Sequence, residues 1–220
     1  MGMTICYSFA SRSRPERFFE TLDNVRTMSA SDDYFVVAKL DTDDLMMYND
    51  NVRCRIEQAQ TPIISRWGTS QSKIHAINRS LDNLPHWDIL VCLSDDMRFR
   101  THGFDNLIRQ HMPADLDGFV HLMDDYAKDR VCTVSILGRK YYERDGYIYH
   151  PDYYSMWCDD EAQAVAQLRG KYILVPGTHI EHLHYTNNAK AKKDELYWRN
   201  DTYNKDKEVF LKRQLLNFDL

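Results

Sequence analysis

Nowhere in its 220 residues does the chain hold an apolar run of about 18 positions, so no membrane-spanning helix is expected. Residues 1–7 lack a basic segment followed by a long apolar stretch and do not read as a secretory leader. The five cysteines (Cys6, Cys54, Cys92, Cys132 and Cys158) are scattered, odd in number and without metal-knuckle spacing. Reduced thiols in a cytoplasmic protein fit that pattern. No G-x-x-x-x-G-K-[ST] run occurs, which excludes a P-loop kinase. There is no basic excess either: 28 Lys and Arg stand against 33 Asp and Glu, a net charge of -5. A broad nucleic-acid footprint is therefore not expected. Internal repeats, low-complexity segments and linkers are absent.

What is present is enough apolar material for a core, at 43% hydrophobic residues, in a length that suits one domain. The charge is uneven. Residues 186–220 hold eight basic against six acidic side chains, so the rest of the chain is strongly acidic. A solvated helical tail explains this, and so does an acidic metal-binding body with a basic segment that approaches phosphate.

Periodicity predicts a strand over 4–9, a polar loop over 10–14 and a helix over 15–28 opened by Pro15. Strands follow over 34–40 and 62–65, a helix over 70–84 and a nearly all-apolar strand over 87–93. The second half reads as a helix over 104–112, strands over 118–123 and 131–137, and an aromatic stretch over 141–154. A helix then runs from 159 or 160 to 168 and is ended by Gly170, followed by strands over 171–175 and 178–185. A polar tail is expected to be helical over 206–216. Strands alternating with helices predict an α/β fold, a mostly parallel central sheet with helices on both faces. Ligands in such sheets bind at the carboxyl ends of the strands.

Acidic clusters fall at those ends. Asp95 and Asp96 leave the apolar strand, and two carboxylates there are costly unless something such as a divalent cation with a diphosphate binds them. Adjacent aspartates at a loop start are nonetheless common. Asp41, with Asp43 and Asp44 beside it, ends an earlier strand, where it could accept hydrogen bonds from a base or ribose or simply form a turn. Asp159, Asp160 and Glu161 open a helix, where capping alone is a competing explanation. His179, His182 and His184 surround a late strand. Period-two alternation puts His182 and His184 on one face, as metal ligands would be.

In the order of these parts, over roughly residues 3–185, the chain resembles the nucleotide-sugar glycosyltransferases of the GT-A fold. The resemblance is to the large inverting family, glycosyltransferase family 2. The matching parts are the first strand and its loop, the strand ending at Asp41, and K-x-x-A-x-N over 73–78. D-I-L-V-C-L-S-D-D over 88–96, the Asp159 and Asp160 pair, and V-P-G-T-H-I-E-H over 175–182 complete the set. Ser94 stands where the family's D-x-D motif has its first aspartate. The apolar-Gly-Gly-Phe segment usual before the late acidic pair is missing.

The resemblance implies a GT-A, Rossmann-like sheet over 1–185, with a nucleotide-sugar half over 1–100, an acceptor half over 101–185, and a C-terminal lid or helical tail over 186–220. It implies transfer of a hexosyl or pentosyl group from a nucleotide sugar, in the first place a UDP-sugar, with inversion. Asp96 would hold Mn2+ or Mg2+, with His182 or His184 as a second ligand. Asp95 would face the ribose or sugar, and Asp41 the base. Ser11, Arg12 and Arg14 would lie under the nucleotide, and Lys73 and Asn78 of the K-x-x-A-x-N helix would also bind the donor. Asp160 would be the general base. The acceptor is left open: a glycan, a small molecule or a nucleobase.

Two other functions compete. A sugar-phosphate nucleotidyltransferase shares a similar sheet but needs a glycine-rich loop after the first strand, and the loop over 10–15 has no glycine. A GT-A-like module without turnover would bind nucleotide alone. In the tail, Lys190, Lys192, Lys193 and Arg199 are expected to meet diphosphate, and Tyr197 and Trp198 to cover the sugar. Val209, Phe210, Leu215 and Leu216 are expected to pack inward.

Overall fold

The computed structural model describes residues 2–184 and 201–220. The expected lid residues over 186–200 lie outside them. In chain order the strands are β1 Ile5–Ala10, β2 Tyr34–Asp41, β3 Ile63–Gly68, β4 Ile89–Leu93, β5 Met97–Phe99, β6 Phe119–Asp124, β7 Ile136–Gly138 and β8 Tyr172–His182. The described helices are α1 Pro15–Met28, α2 Asp50–Glu57, α3 Lys73–Asn78, α4 Phe104–His111, α5 Arg139–Asp145, α6 Cys158–Leu168 and α7 Tyr203–Leu215.

The strands form one sheet in the order β3-β2-β1-β4-β7-β6-β8-β5. Its first half, β3-β2-β1-β4, is parallel throughout. The second half is mixed: β7 runs antiparallel to β4 and β6, β8 runs parallel to β6, and β5 runs antiparallel to β8. Alternation along the strands builds two core layers. Ile5, Tyr7 and Phe9 of β1 and Ile89, Val91 and Leu93 of β4 meet Phe18, Leu22 and Val25 of α1. Cys6, Leu90 and Cys92 face Ile74 and Ile77 of α3 and Tyr141 of α5 on the other side. No described helix is long and apolar enough to cross a membrane.

Several elements differ from expectation: β5 was not foreseen, and the strand expected over 131–137 shrinks to β7. The helix expected over 70–84 covers only 73–78, capped by Ser72, whose hydroxyl accepts from the His75 amide (3.0 Å). Arg79 is extended and Ser80 takes a left-handed φ of 61°, so the chain leaves the helix there. Leu81 and Leu84 still pack on the core, which is why their spacing imitated a helix. The short helix α2 buries only Val52 and therefore carries no apolar period. The aromatic stretch contains α5. The two strands expected over 171–175 and 178–185 are a single strand, β8, interrupted by a bulge. Val175 pairs with Leu122 and Thr178 with Met123, so Pro176 and Gly177 (φ 99°) are the extra residues.

Candidate active site

A cleft of about 650 Å3 opens over the carboxyl ends of β1, β2 and β4. The loop after β1 supplies its floor. The Ser11 hydroxyl donates to Asp95 Oδ2 (3.0 Å), and Arg14 Nη1 donates to Asp95 Oδ1 (3.0 Å). Burial pushes the Asp95 carboxyl above its ordinary pKa, helped by Asp96 next to it and opposed by Arg14. Arg12 forms a two-pronged pair with Asp43 (2.8 and 2.9 Å) and also donates to Asp41 (3.0 Å). Asp41 accepts further from Ser70 (2.6 Å) and from Arg79 (3.1 Å). The residue expected to read a base is thus already the hub of three side-chain donors. Ser70 and Arg79 were not foreseen, because they lie in what reads as a continuous helix.

Asp96 is buried immediately before β5. Its Oδ1 accepts from the Ser94 hydroxyl (2.5 Å), and its Oδ2 lies 3.9 Å from His182 Nε2. Burial works against the Asp96 charge. Attraction to His182, the Ser94 bond, Lys73 and Arg14 outweighs it, so its pKa falls below the ordinary value. The β8–β5 pairing sets this contact, since Met97 is opposite His182 and the Leu183 amide donates to the Asp96 carbonyl (2.7 Å). His184 lies beyond the end of β8, so the expected shared strand face is not what brings the two histidines together. Its ring still lines the cleft, centred 5.5 Å from that of His182. Burial lowers the His184 pKa.

Asp124, which ends β6, was not singled out from sequence. It forms one more acidic strand end of the kind already recognised in Asp41 and Asp96. Its Oδ2 accepts from His182 Nδ1 (3.1 Å) and the Thr133 hydroxyl (2.7 Å).

Across the cleft stand Asp159 and Asp160, in the first turn of α6. Burial, and then the Asp159 carboxylate beside it, push Asp160 up to about 7. The preceding Trp157 has a left-handed φ of 62°, an outlier for so bulky a side chain, and its indole Nε1 is buried without a hydrogen-bond partner among the described residues. Lys73 also lines the cleft. Burial opposes its charge, but Cys158, Asp96 and Asp159 outweigh that and raise its pKa. Tyr126, Arg130, Met156 and Tyr203 complete the wall on this side.

Asn78 alone among the expected site residues is absent from the cleft wall. Its amide donates to the Tyr149 carbonyl (2.6 Å) and accepts from the Ile148 (3.0 Å) and Tyr149 (3.2 Å) amides, holding the aromatic loop.

Among the described residues no three His, Cys, Asp or Glu side chains converge as a closed metal site. The donor set that is present suits a cation that shares its ligands with phosphate. One carboxylate oxygen and one imidazole nitrogen lie 3.9 Å apart, too far for a hydrogen bond, and both are donor types that a divalent cation takes.

No family model and no curated protein matches the chain. Solved structures do match. A mannosyltransferase from Pyrobaculum calidifontis, in complex with GDP-Man and Mn2+, has a TM-score of 0.71 at 16% identity, over 90% of this chain and 60% of that one. The chain therefore spans less than two thirds of that protein. TarS 1-349 from S. aureus, in complex with UDP-GlcNAc, has a TM-score of 0.58 at 10% identity, over 90% and 64% of the two chains. A 4-diphosphocytidyl-2C-methyl-D-erythritol synthase from Anaerococcus prevotii has a TM-score of 0.55 at 16% identity, over 93% and 97%. The chain has the GT-A fold.

Proposed function

We propose that this chain is a metal-dependent glycosyltransferase that moves a sugar from a nucleotide-sugar donor to an acceptor hydroxyl with inversion. The observation that carries this reading is one cleft lined by both the facing Asp96 and His182 side chains and a carboxyl raised to about 7, Asp160. Asp96 and His182 would hold Mn2+ or Mg2+, which when bound neutralises the charge of a leaving nucleoside diphosphate. Ser11 and Arg14 fix Asp95 beneath the donor, and Lys73 adds a cation near the same carboxylates. Arg12, Asp41 and Ser70 would meet the base, with Arg79 bracing Asp41 from behind the cleft wall. Asp160 takes the proton of the attacking acceptor hydroxyl; a single displacement with one base inverts the anomeric centre. GDP-Man and UDP-GlcNAc, bound by the two similar proteins, are the first donors to try.

A second reading has one observation in its favour. The synthase similar to this chain matches it almost end to end. A nucleotidyltransferase joins a nucleotide to a phosphorylated substrate and releases pyrophosphate, whereas a glycosyltransferase releases a nucleoside diphosphate. Incubation of the protein and Mn2+ with a panel of UDP- and GDP-sugars, and separately with CTP or UTP and sugar phosphates, distinguishes them. Nucleoside diphosphate released from a nucleotide sugar, and lost in Asp160→Asn, supports the first reading. Pyrophosphate release without any sugar-nucleotide turnover overturns it.

A further inference from the structure

Building on that metal reading, we propose that Asp124 is a positioning residue for His182, gripping the ring by its Nδ1 side so that Nε2 is presented to the cation held with Asp96. Asp124 is 1% exposed, and both of its oxygens are committed. Oδ1 accepts from the amides of Tyr126 (2.9 Å), Ala127 and Lys128 (3.2 Å), which closes the turn after β6. Oδ2 accepts from Thr133 Oγ1 (2.7 Å) and from His182 Nδ1 (3.1 Å). The neighbouring Asp125 Oδ1 accepts from the His182 amide (2.8 Å), so ring and backbone are both fastened to the same turn.

A turn-capping role accounts for Oδ1 but gives no reason for Oδ2 to meet an imidazole. Because a carboxylate can only accept, Nδ1 carries a proton, so when the ring is neutral, as a metal ligand must be, its lone pair is on Nε2, which faces Asp96 Oδ2 at 3.9 Å. A carboxylate behind a metal-binding histidine fixes both tautomer and orientation. Asp124 thus adds to the site a carboxylate that need not touch the cation.

Asp124→Asn tests this. The amide has the same shape and keeps an oxygen for the turn, but its NH2 can donate to Nδ1 and favour the tautomer with the proton on Nε2. Mn2+ binding in the presence of UDP or GDP, followed by calorimetry or by the electron paramagnetic resonance of free Mn2+, is measured on the intact protein, H182A, D124N and the double variant. D124N is expected to weaken Mn2+ binding by about 10–100-fold, and to have no further effect once His182 is removed. Wild-type affinity in D124N, or the full D124N loss persisting in the H182A background, overturns the role of Asp124. Unchanged affinity in H182A instead overturns the metal reading itself. Nitrogen-15 shifts of the neutral His182 ring in the wild-type protein provide a test that needs no variant: a proton on Nδ1 is expected, and a proton on Nε2 overturns the proposal.

Discussion

The surroundings of Asp160 work against stability above neutral pH, and they are what the proposed general base requires. In the unfolded chain it would titrate near the ordinary aspartate value of about 3.9. In the fold, burial and Asp159 hold it near 7, so the native state keeps a proton that the unfolded state has lost between those two values. Folding stability from this group therefore falls as pH rises through that window. Asp160→Asn should lower sugar transfer by about 10²–10⁴-fold while donor binding persists. The same variant should melt higher than wild type at about pH 8, where the wild-type carboxyl is charged beside Asp159. Transfer by the wild-type protein should rise with pH up to about 7. Asp159→Asn, by removing the adjacent charge, should move that acid limb to lower pH. Rate profiles and thermal melts on the three proteins check this; normal transfer by Asp160→Asn would make the residue merely part of a helix start.

At the scale of elements, α7 is attached in a way its leucines do not explain. Leu215 is 88% and Leu216 57% exposed, contrary to the inward packing expected of them. Val209 and Phe210 do pack on the second core layer, but the buried anchors of α7 are the polar Asp206 and Arg213. Arg213 Nε donates to both oxygens of Glu161 (3.0 and 2.9 Å), which also accepts from the Tyr153 hydroxyl (2.6 Å). Asp206 accepts from the consecutive amides of Tyr154, Ser155 and Met156 (3.0, 2.9 and 2.8 Å) and from the Thr202 hydroxyl (2.5 Å). α7 thereby holds both the loop before α6 and the first turn that carries Asp160. Arg213→Met should cost about 3–5 kcal/mol by leaving Glu161 buried and unpaired, measurable by denaturant unfolding. Burial works against the Asp206 charge, but the Thr202 hydroxyl and the three amides outweigh it and depress its pKa. Its contribution is therefore complete above the unfolded value of about 3.9 and is lost as pH falls through the lower native value. The wild-type melting temperature should drop on acidification over that range more steeply than that of Asp206→Asn; parallel curves would show that the amide cap is not linked to stability.

For the whole molecule, the cleft gathers residues from the β1 loop, β2, α3, β4, β8 and α6, so ligand binding should be felt as global stability. Nucleoside diphosphate with Mn2+ at about 100 times Kd should add roughly 2.7 kcal/mol. The metal-dependent share of that gain should vanish in Asp96→Ala, as read by thermal shift with UDP and GDP in the presence and absence of Mn2+. An equal gain in the variant would remove Asp96 from the site. Much of this was determined by the sequence alone. The apolar runs over 4–9 and 87–93 predicted strands, the second one buried on both faces, because side chains on a strand point alternately into two layers and here both are apolar. Pro15 set the start of α1, and the strand-end rule found Asp41, Asp95 and Asp96. These are local signals, carried by neighbouring residues whatever the rest of the chain does. Only the tertiary structure decided that the carboxylate of Asp41 is occupied by Arg12, Ser70 and Arg79. It likewise decided that Asn78 braces a loop 70 residues away, and that Asp124 stands behind His182. Hydrogen bonds between residues so far apart along the chain leave no periodicity to read. Their partners are chosen by strand order and register, and that order follows from burying both faces of the sheet at once.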